Sequence, residues 1–425
     1  MTDVDLDAID YFRTDALYTD PYPYWDHLRR QCPVAREPHR GVYMVTGYDE
    51  AIAVYHDQAT FSNCVAAIGP FARFPVPLEG DDVTELIEEH RGRLPFGDQL
   101  PSFDPPKHTA HRGLLMRLIT PKRLKENEAF MLALADRLID GFLGDGRCEL
   151  VAQYAGPYTL LVIADLLGVP EADHERFLDE LLHGSHLTMD HSPLEYLYET
   201  FTAYVEERRR APQQDVMTGL ATATFPDGSL PPVDDVMRIA ANLFAAGQET
   251  TARLLGMAVQ ALADRPALQR RLREDPSLVP AFVEEMLRLE SPIKGTFRLS
   301  RVPTTVGGTG IPAGSTVMVL PGAANHDPRE FRDPGELRLD RPNGRQHIAF
   351  GHGIHTCAGA PLARAEATIS VHRLLDRTAD IRVTEEHHGP PGARRWSYTP
   401  TWMLRGLDEL HLELHPAGPG PATGG

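Results

Sequence analysis

Apolar residues recur along most of this chain at helical spacing. In "EAFMLALADRLIDGFLGDG", Phe130, Leu134 and Leu138 stand four residues apart and the run stops at Gly144-Asp145-Gly146, which predicts an amphipathic helix. "TLLVIADLLGVP" reads as a buried helix closed by Gly168 and Pro170. Between Pro232 and Pro266 lie 33 residues without a proline, with Asp234 and Asp235 at the end where a helix dipole favours acids. A helix through that whole stretch is roughly 50 Å long, enough to cross a domain. "APLARAEATISVHRLL", from residue 360, is a further strong helix.

Strand patterns are short and few: "GVYMVTG", "TTVGGTGIPAGSTVMVL" and "LHLEL". The second predicts a hairpin around Gly310 and Gly314. The whole pattern describes a mainly α single domain with a small β component and a long central helix. No internal linker or repeat interrupts it. The ending from residue 416, "PAGPGPATGG", reads as a disordered Pro/Gly-rich tail, leaving 1–415 as the folded part.

Composition narrows the function classes. The chain has 425 residues, 42% of them hydrophobic, and a formal net charge of −18; phosphate contacts need a basic surface, so general nucleic-acid binding is excluded. The first twenty residues are acidic and lack an apolar run, which predicts neither secretory signal nor membrane anchor. Four cysteines without shared spacing fit a reducing cytoplasm. One segment runs against the acidic balance. Lys107 to Lys125 holds six Lys/Arg and no Asp or Glu, either a solvated face or a docking surface for an acidic partner.

The candidate chemistry centres on Cys357 in "FGHGIHTCAGAPLARAE". Gly351, Gly353 and Gly359 permit a tight turn and close approach to a flat group. A cysteine just before a helix N-terminus is favoured as thiolate, and a thiolate serves as nucleophile, zinc ligand or haem ligand. No nucleophile signature surrounds Cys357, and His352 and His355 do not give a usual zinc spacing. Phe350-x-x-Gly353-x-x-x-Cys357-x-Gly359 resembles the haem-binding loop of the cytochrome P450 haem-thiolate monooxygenases, in which the thiolate favours O–O cleavage.

Further matches follow in the family's order. "AAGQETT" resembles its A-G-x-acid-Thr element, with Ala246, Gly247, Glu249 and Thr250. The resemblance implies that Gly247 leaves room for dioxygen, that Thr250 bonds back to the Ala246 carbonyl, and that Glu249 and Thr250 supply protons. Glu249 stands where Asp is also common. "EEMLR" resembles the structural Glu-x-x-Arg, here Glu285 and Arg288, completed by Arg341. His108 and Arg112 in "FDPPKHTAHR", Arg298 in "GTFRLS" and His355 resemble the cations that hold the haem propionates.

The resemblance covers nearly the whole chain. It implies haem b (iron protoporphyrin IX), with Cys357 as axial ligand of the iron. Dioxygen, a hydrophobic or amphipathic small substrate, and an acidic ferredoxin-type donor are the implied partners, the donor docking on the Lys107 to Lys125 segment. "AAIGPFARFPVPLEG", "LLHGSHLTMDH", Leu243, Phe244, "IKGT" and "YTPTW" would line the substrate side, with Asp190, His191 and Lys294 as polar candidates. The alternatives are a peroxide-driven peroxygenase, which typically lacks the acid–alcohol pair, and a haem- or ligand-binding protein without turnover.

Overall fold

The computed structural model of the chain describes residues 6–183 and 193–417. Asp190, His191, most of "LLHGSHLTMDH" and the tail from 418 lie outside the described residues. The chain divides into two compact units, each assembled from distant segments. The first is Met1–Arg112, Leu287–Cys357 and Tyr398–Arg405; the second is Gly113–Met286, Ala358–Ser397 and Gly406–Gly425.

The first unit carries a five-stranded sheet in the order Val34–Arg36, Tyr43–Val45, Thr316–Val319, Thr296–Ser300, Phe61–Ser62. Tyr43–Val45 runs parallel to Thr316–Val319, and the other pairs are antiparallel. Side chains alternate across a strand, and that alternation sorts the sheet residues into two cores. Met44, Phe297, Leu299 and Met318 join the N-terminal aromatics Tyr24 and Trp25. Val34, Val45, Phe61, Val317 and Val319 join Val54 and Tyr55 of the helix Tyr48–His56.

The expected hairpin forms, but its turn lies elsewhere. Thr304–Val306 pairs with Thr309–Ile311 across Gly307 and Gly308, at φ 56° and 83°, where a two-residue turn of this hand demands glycine. Gly314, at φ 75°, instead bends the chain into Thr316–Val319, and a Cβ there would stand 2.9 Å from the Leu78 Cβ. The strands at Val34–Arg36, Phe61–Ser62 and Thr296–Ser300 were not signalled by the sequence pattern. Each is no longer than five residues and is fixed by pairing with distant chain.

The second unit is mainly helical. Its longest element, Val233–Ala263, has 31 residues and a length of about 46 Å. Phe244 of this helix packs on Phe177 and Phe201, with ring centroids 5.2 and 6.0 Å apart. Gly156–Leu167 ends as expected on Gly168, in the left-handed region at φ 75°. The helix Pro121–Leu143 starts earlier than the apolar spacing suggested, with the Thr120 hydroxyl accepting the Arg123 amide at 3.3 Å. Its buried stripe is Met131, Leu134, Ala135, Ile139 and Phe142. Of the expected stripe only Leu134 is in the core; Phe130 and Leu138 flank it, half-buried.

A three-stranded sheet closes this unit, with His411–Pro416 between Arg147–Glu149 and Thr378–Val383. Pro416, expected to open the tail, is the last residue of that central strand, and the Ala417 amide still bonds the Arg377 carbonyl at 3.0 Å. Among the described residues, no helix is long and apolar enough to cross a membrane.

Candidate active site

The cysteine loop belongs to the first unit. The Cys357 amide bonds the Phe350 carbonyl at 2.9 Å, and the Gly351 amide bonds the Ile348 carbonyl at 2.9 Å. Asn325 anchors the approach to the loop, its Oδ1 accepting the Ile348 amide at 2.8 Å. Gly351 and Gly353 take φ 67° and 72°, and a Cβ on Gly353 would stand 2.5 Å from the Tyr55 carbonyl oxygen. Gly359 differs from expectation. It caps the helix Ala360–Arg377 at φ −78°, a conformation open to any residue, so the turn itself does not require glycine there. Cys357 is an exposed cysteine three residues before that helix.

Beside the loop, the first unit gathers the other four expected binding groups. The Arg112 guanidinium donates to the Thr356 carbonyl at 2.6 Å. The His108 and His355 rings lie 4.0 Å apart. Arg298, buried on its strand, donates to the Phe297 carbonyl at 2.7 Å and stands 5.4 Å above the Tyr55 ring. Both nitrogens of His108 and Nε2 of His355 are buried without a hydrogen-bond partner.

The imidazoles do not match the cationic role expected of them. Burial, reinforced by Arg112, lowers the His108 pKa to about 4. Burial, reinforced by His108 and Arg298, lowers that of His355 to about 3. Near neutral pH the cradle therefore holds two permanent cations and two neutral rings whose N–H groups are available as donors.

What orients this cradle is a buried network absent from the sequence reading. Asp104 Oδ2 accepts from Ser62 Oγ at 2.5 Å and from Arg301 at 2.6 Å, and also pairs with Arg91; Oδ1 accepts the Asn63 amide at 2.8 Å. The Asp104 carbonyl in turn accepts the His108 amide at 2.9 Å, fixing the start of the helix Lys107–Leu115. Its arginine neighbours hold the Asp104 carboxyl below the usual range against the opposing effect of burial. The partners lie 13 to 197 residues apart in sequence, so no local pattern announces them.

The acid–alcohol element lies in the second unit, on the long helix. Thr250 Oγ1 donates to the Ala246 carbonyl at 2.7 Å. Glu249 forms an ion pair with Arg253 one turn on, and the Arg253 stem fills the space a Cβ on Gly406 would need, with Cγ 2.5 Å from it. The missing side chain of Gly247 faces Ile163 of Gly156–Leu167, at 3.5 Å. A Cβ at this position would thus find ordinary contact with Ile163. Thr251 bonds Glu366, whose pKa burial raises well above the ordinary carboxyl range.

The chain resembles known proteins over nearly its full length. A solved structure, Mycobacterium marinum cytochrome P450 CYP150A6 in the substrate-free form, matches with a TM-score of 0.93 and 55% identity, over 97% of this chain and 100% of that one. Cytochrome P450 144 of Mycobacterium tuberculosis is 36% identical over 96% of this chain and 92% of its own length. The chain belongs to the cytochrome P450 family.

The family profile for cytochrome P450 matches residues 176–379. Cytochrome P450 monooxygenase PikC of Streptomyces venezuelae is 33% identical over 92% of this chain and 91% of its own length. The protein is accordingly an oxidoreductase of the P450 monooxygenase class, and the family's cofactor is haem. The residues present fit that group. Orphaned buried imidazole nitrogens beside two arginines are what a carboxylate-bearing ligand satisfies, and the glycine-turned loop presents a cysteine sulfur for an iron bond.

The remaining expected residues serve the P450 scaffold. Arg288, fully buried, donates to the carbonyls of Asn325, Pro334 and Glu336. Arg341 donates to those of Arg332, Asp333 and Glu336, so the two arginines grip one loop and meet at the Glu336 carbonyl. Glu285 is buried one turn before Arg288. Its neighbour Glu284, passed over in the sequence, holds Arg364 at 2.7 and 3.1 Å. Lys294 is buried against the Tyr18 ring, 5.4 Å from its centroid, and does not face water. The basic segment divides: Arg112 turns into the cradle, whereas Lys122 is exposed and pairs with Glu126 at 3.6 Å.

Proposed function

We propose that residues 1–415 act as one haem domain that hydroxylates a hydrophobic or amphipathic small molecule, with haem b bound through Cys357. The observation that carries this reading is the cysteine loop beside a cradle of two arginines and two imidazoles with unsatisfied nitrogens. Arg112 and Arg298 hold the carboxylates of the ligand, and His108 and His355 donate N–H bonds to them. When bound, haem supplies the iron at which dioxygen is activated. Thr250 Oγ1 would be the alcohol that holds and passes a proton, and Glu249 would replenish it once released from Arg253.

Related structures support a substrate of this kind. CYP109E1 of Bacillus megaterium, 26% identical with a TM-score of 0.78, was solved in complex with corticosterone. HmtN, 31% identical, is described as a post-tailoring hydroxylase in himastatin biosynthesis. The electrons come from a separate acidic ferredoxin in the cytoplasm, docking over Lys122, Arg123 and Lys125. Reversing the charge of Lys122 and Arg123 together lowers the ferredoxin-driven rate and flattens its salt dependence; an unchanged rate and slope overturn the docking surface.

The deciding experiment is the absorption spectrum of the reduced, purified protein with carbon monoxide. A strongly red-shifted Soret band establishes haem and thiolate ligation together. Protein expressed with adequate haem that shows no haem band, or one typical of histidine ligation, overturns the assignment.

A further inference from the structure

Several imidazoles of this chain stand in close pairs, and the pairs are not alike. His108 and His355 belong to the cradle. His387 and His411 stack nearly parallel at 3.8 Å, with Thr384 Oγ1 3.3 Å from His387 Nδ1 and Glu409 Oε2 3.2 Å from His411 Nε2, so those nitrogens are engaged. His56 and His352, both in the first unit, differ from both pairs. Their rings stand 4.7 Å apart and tilted by 57°, and both residues are exposed. Neither ring has a hydrogen bond or ion pair among the described residues.

The backbone holds this pair in place. His56 ends the helix Tyr48–His56, and His352 is extended just before the turn Gly353–His355. The residues next to them touch: a Cβ on Gly353 would stand 2.5 Å from the Tyr55 carbonyl oxygen. That contact sets the end of the helix against the cysteine loop and brings His56 and His352 together at the surface. Their separation also suits shared ligation. With metal–nitrogen bonds of about 2.0–2.1 Å, two imidazole centroids on one tetrahedral or octahedral ion stand roughly 4.5–5.2 Å apart. The observed 4.7 Å lies within that span. A cation there also meets the negative end of the helix dipole, in a chain of net charge −18.

We propose that His56 and His352 form a surface site for one divalent first-row transition ion of the zinc class, tying the end of the helix to the loop that carries Cys357. Imidazole suits such ions, whereas magnesium and calcium take oxygen ligands. Among the described residues no third His, Cys, Asp or Glu completes a metal-binding group, so water fills the remaining positions and the ion is exchangeable. The site is independent of the monooxygenase reading, because it needs the contact between helix and loop and no reaction at iron.

The test is calorimetric titration of the holoenzyme with Zn²⁺ and, separately, with Ca²⁺. Zn²⁺ occupies one saturable site that Ca²⁺ does not. His56→Ala and His352→Ala each weaken Zn²⁺ binding about a hundredfold, because the second imidazole binds intramolecularly and that advantage goes with either partner. His387→Ala, at the stacked pair, leaves the affinity unchanged. Zn²⁺ raises the melting temperature of the unsubstituted protein and not that of the His56→Ala or His352→Ala variant. Melting temperatures without zinc confirm that each variant is folded. Zinc affinity that survives either substitution overturns the proposal, as does the absence of saturable binding up to millimolar Zn²⁺ or equal binding of Ca²⁺.

Discussion

The propionate cradle and the acid–alcohol turn are built in opposite ways. In the first unit, His108, Arg112, Arg298 and His355 come from three separate stretches, and Asp104, Arg91, Arg301 and Ser62 fix them through pairings up to 197 residues apart. In the second, Thr250 and Glu249 bond within four residues on one helix. A site made of distant parts needs burial and a network to keep its geometry. A site made from one helical turn carries its geometry in the backbone. The cradle accordingly depends on the whole unit, whereas the turn is vulnerable mainly to changes at its own residues.

The largest effect expected from this contrast is in the cradle. Arg112→Leu with Arg298→Leu removes both permanent cations and lowers haem affinity about a hundredfold, read as haem retained after gel filtration. Retention equal to the unsubstituted protein would sink the cradle assignment. Thr250→Ala, by contrast, breaks one local bond. It leaves haem content and melting temperature nearly unchanged while product per electron consumed falls about tenfold or more. If coupling persists, Thr250 is not the proton-passing alcohol.

Two glycines sharpen the same comparison. Gly353→Ala places a side chain at φ 72° and against the Tyr55 carbonyl, costing about 1–3 kcal/mol, visible as a lower unfolding midpoint. Gly247→Ala meets Ile163 at ordinary contact distance and costs less than about 1 kcal/mol. The reverse order would contradict the packing described.

A separate effect concerns pH. Burial lowers the His326 pKa from 6.5 to about 3 in the folded protein, where its ring packs on Tyr22 at 4.5 Å and bonds the Gly322 carbonyl at 3.0 Å. Below pH 6.5 the unfolded chain gains a proton that the folded chain refuses. Stability therefore declines as pH falls toward 3, by up to about 1.4 kcal/mol per pH unit from this group. His326→Phe makes urea midpoints at pH 7.5 and 5 differ less than they do in the unsubstituted protein; equal differences would remove His326 from the account. Asp104 acts in a separate window, because its depressed folded pKa contributes stability that is lost only as pH falls below about 3.8.

By itself the sequence determined whatever is short-range. The long helix between Pro232 and Pro266, the end of a helix on Gly168 and the Thr250 bond to Ala246 follow from local backbone chemistry. The glycine-turned cysteine loop is contiguous, and for that reason it was legible. The tertiary structure alone decided what depends on burial and on partners far along the chain. It made His108 and His355 neutral rings where cations were expected, and it set Asp104 behind them. It moved the hairpin turn to Gly307 and Gly308, because strand pairing fixes which glycines must take the left-handed conformation. It set Ile163 within ordinary contact of a Cβ at Gly247 and Arg40 over Phe71. Desolvation and long-range contact belong to three-dimensional neighbours, and spacing along one strand or helix does not encode them.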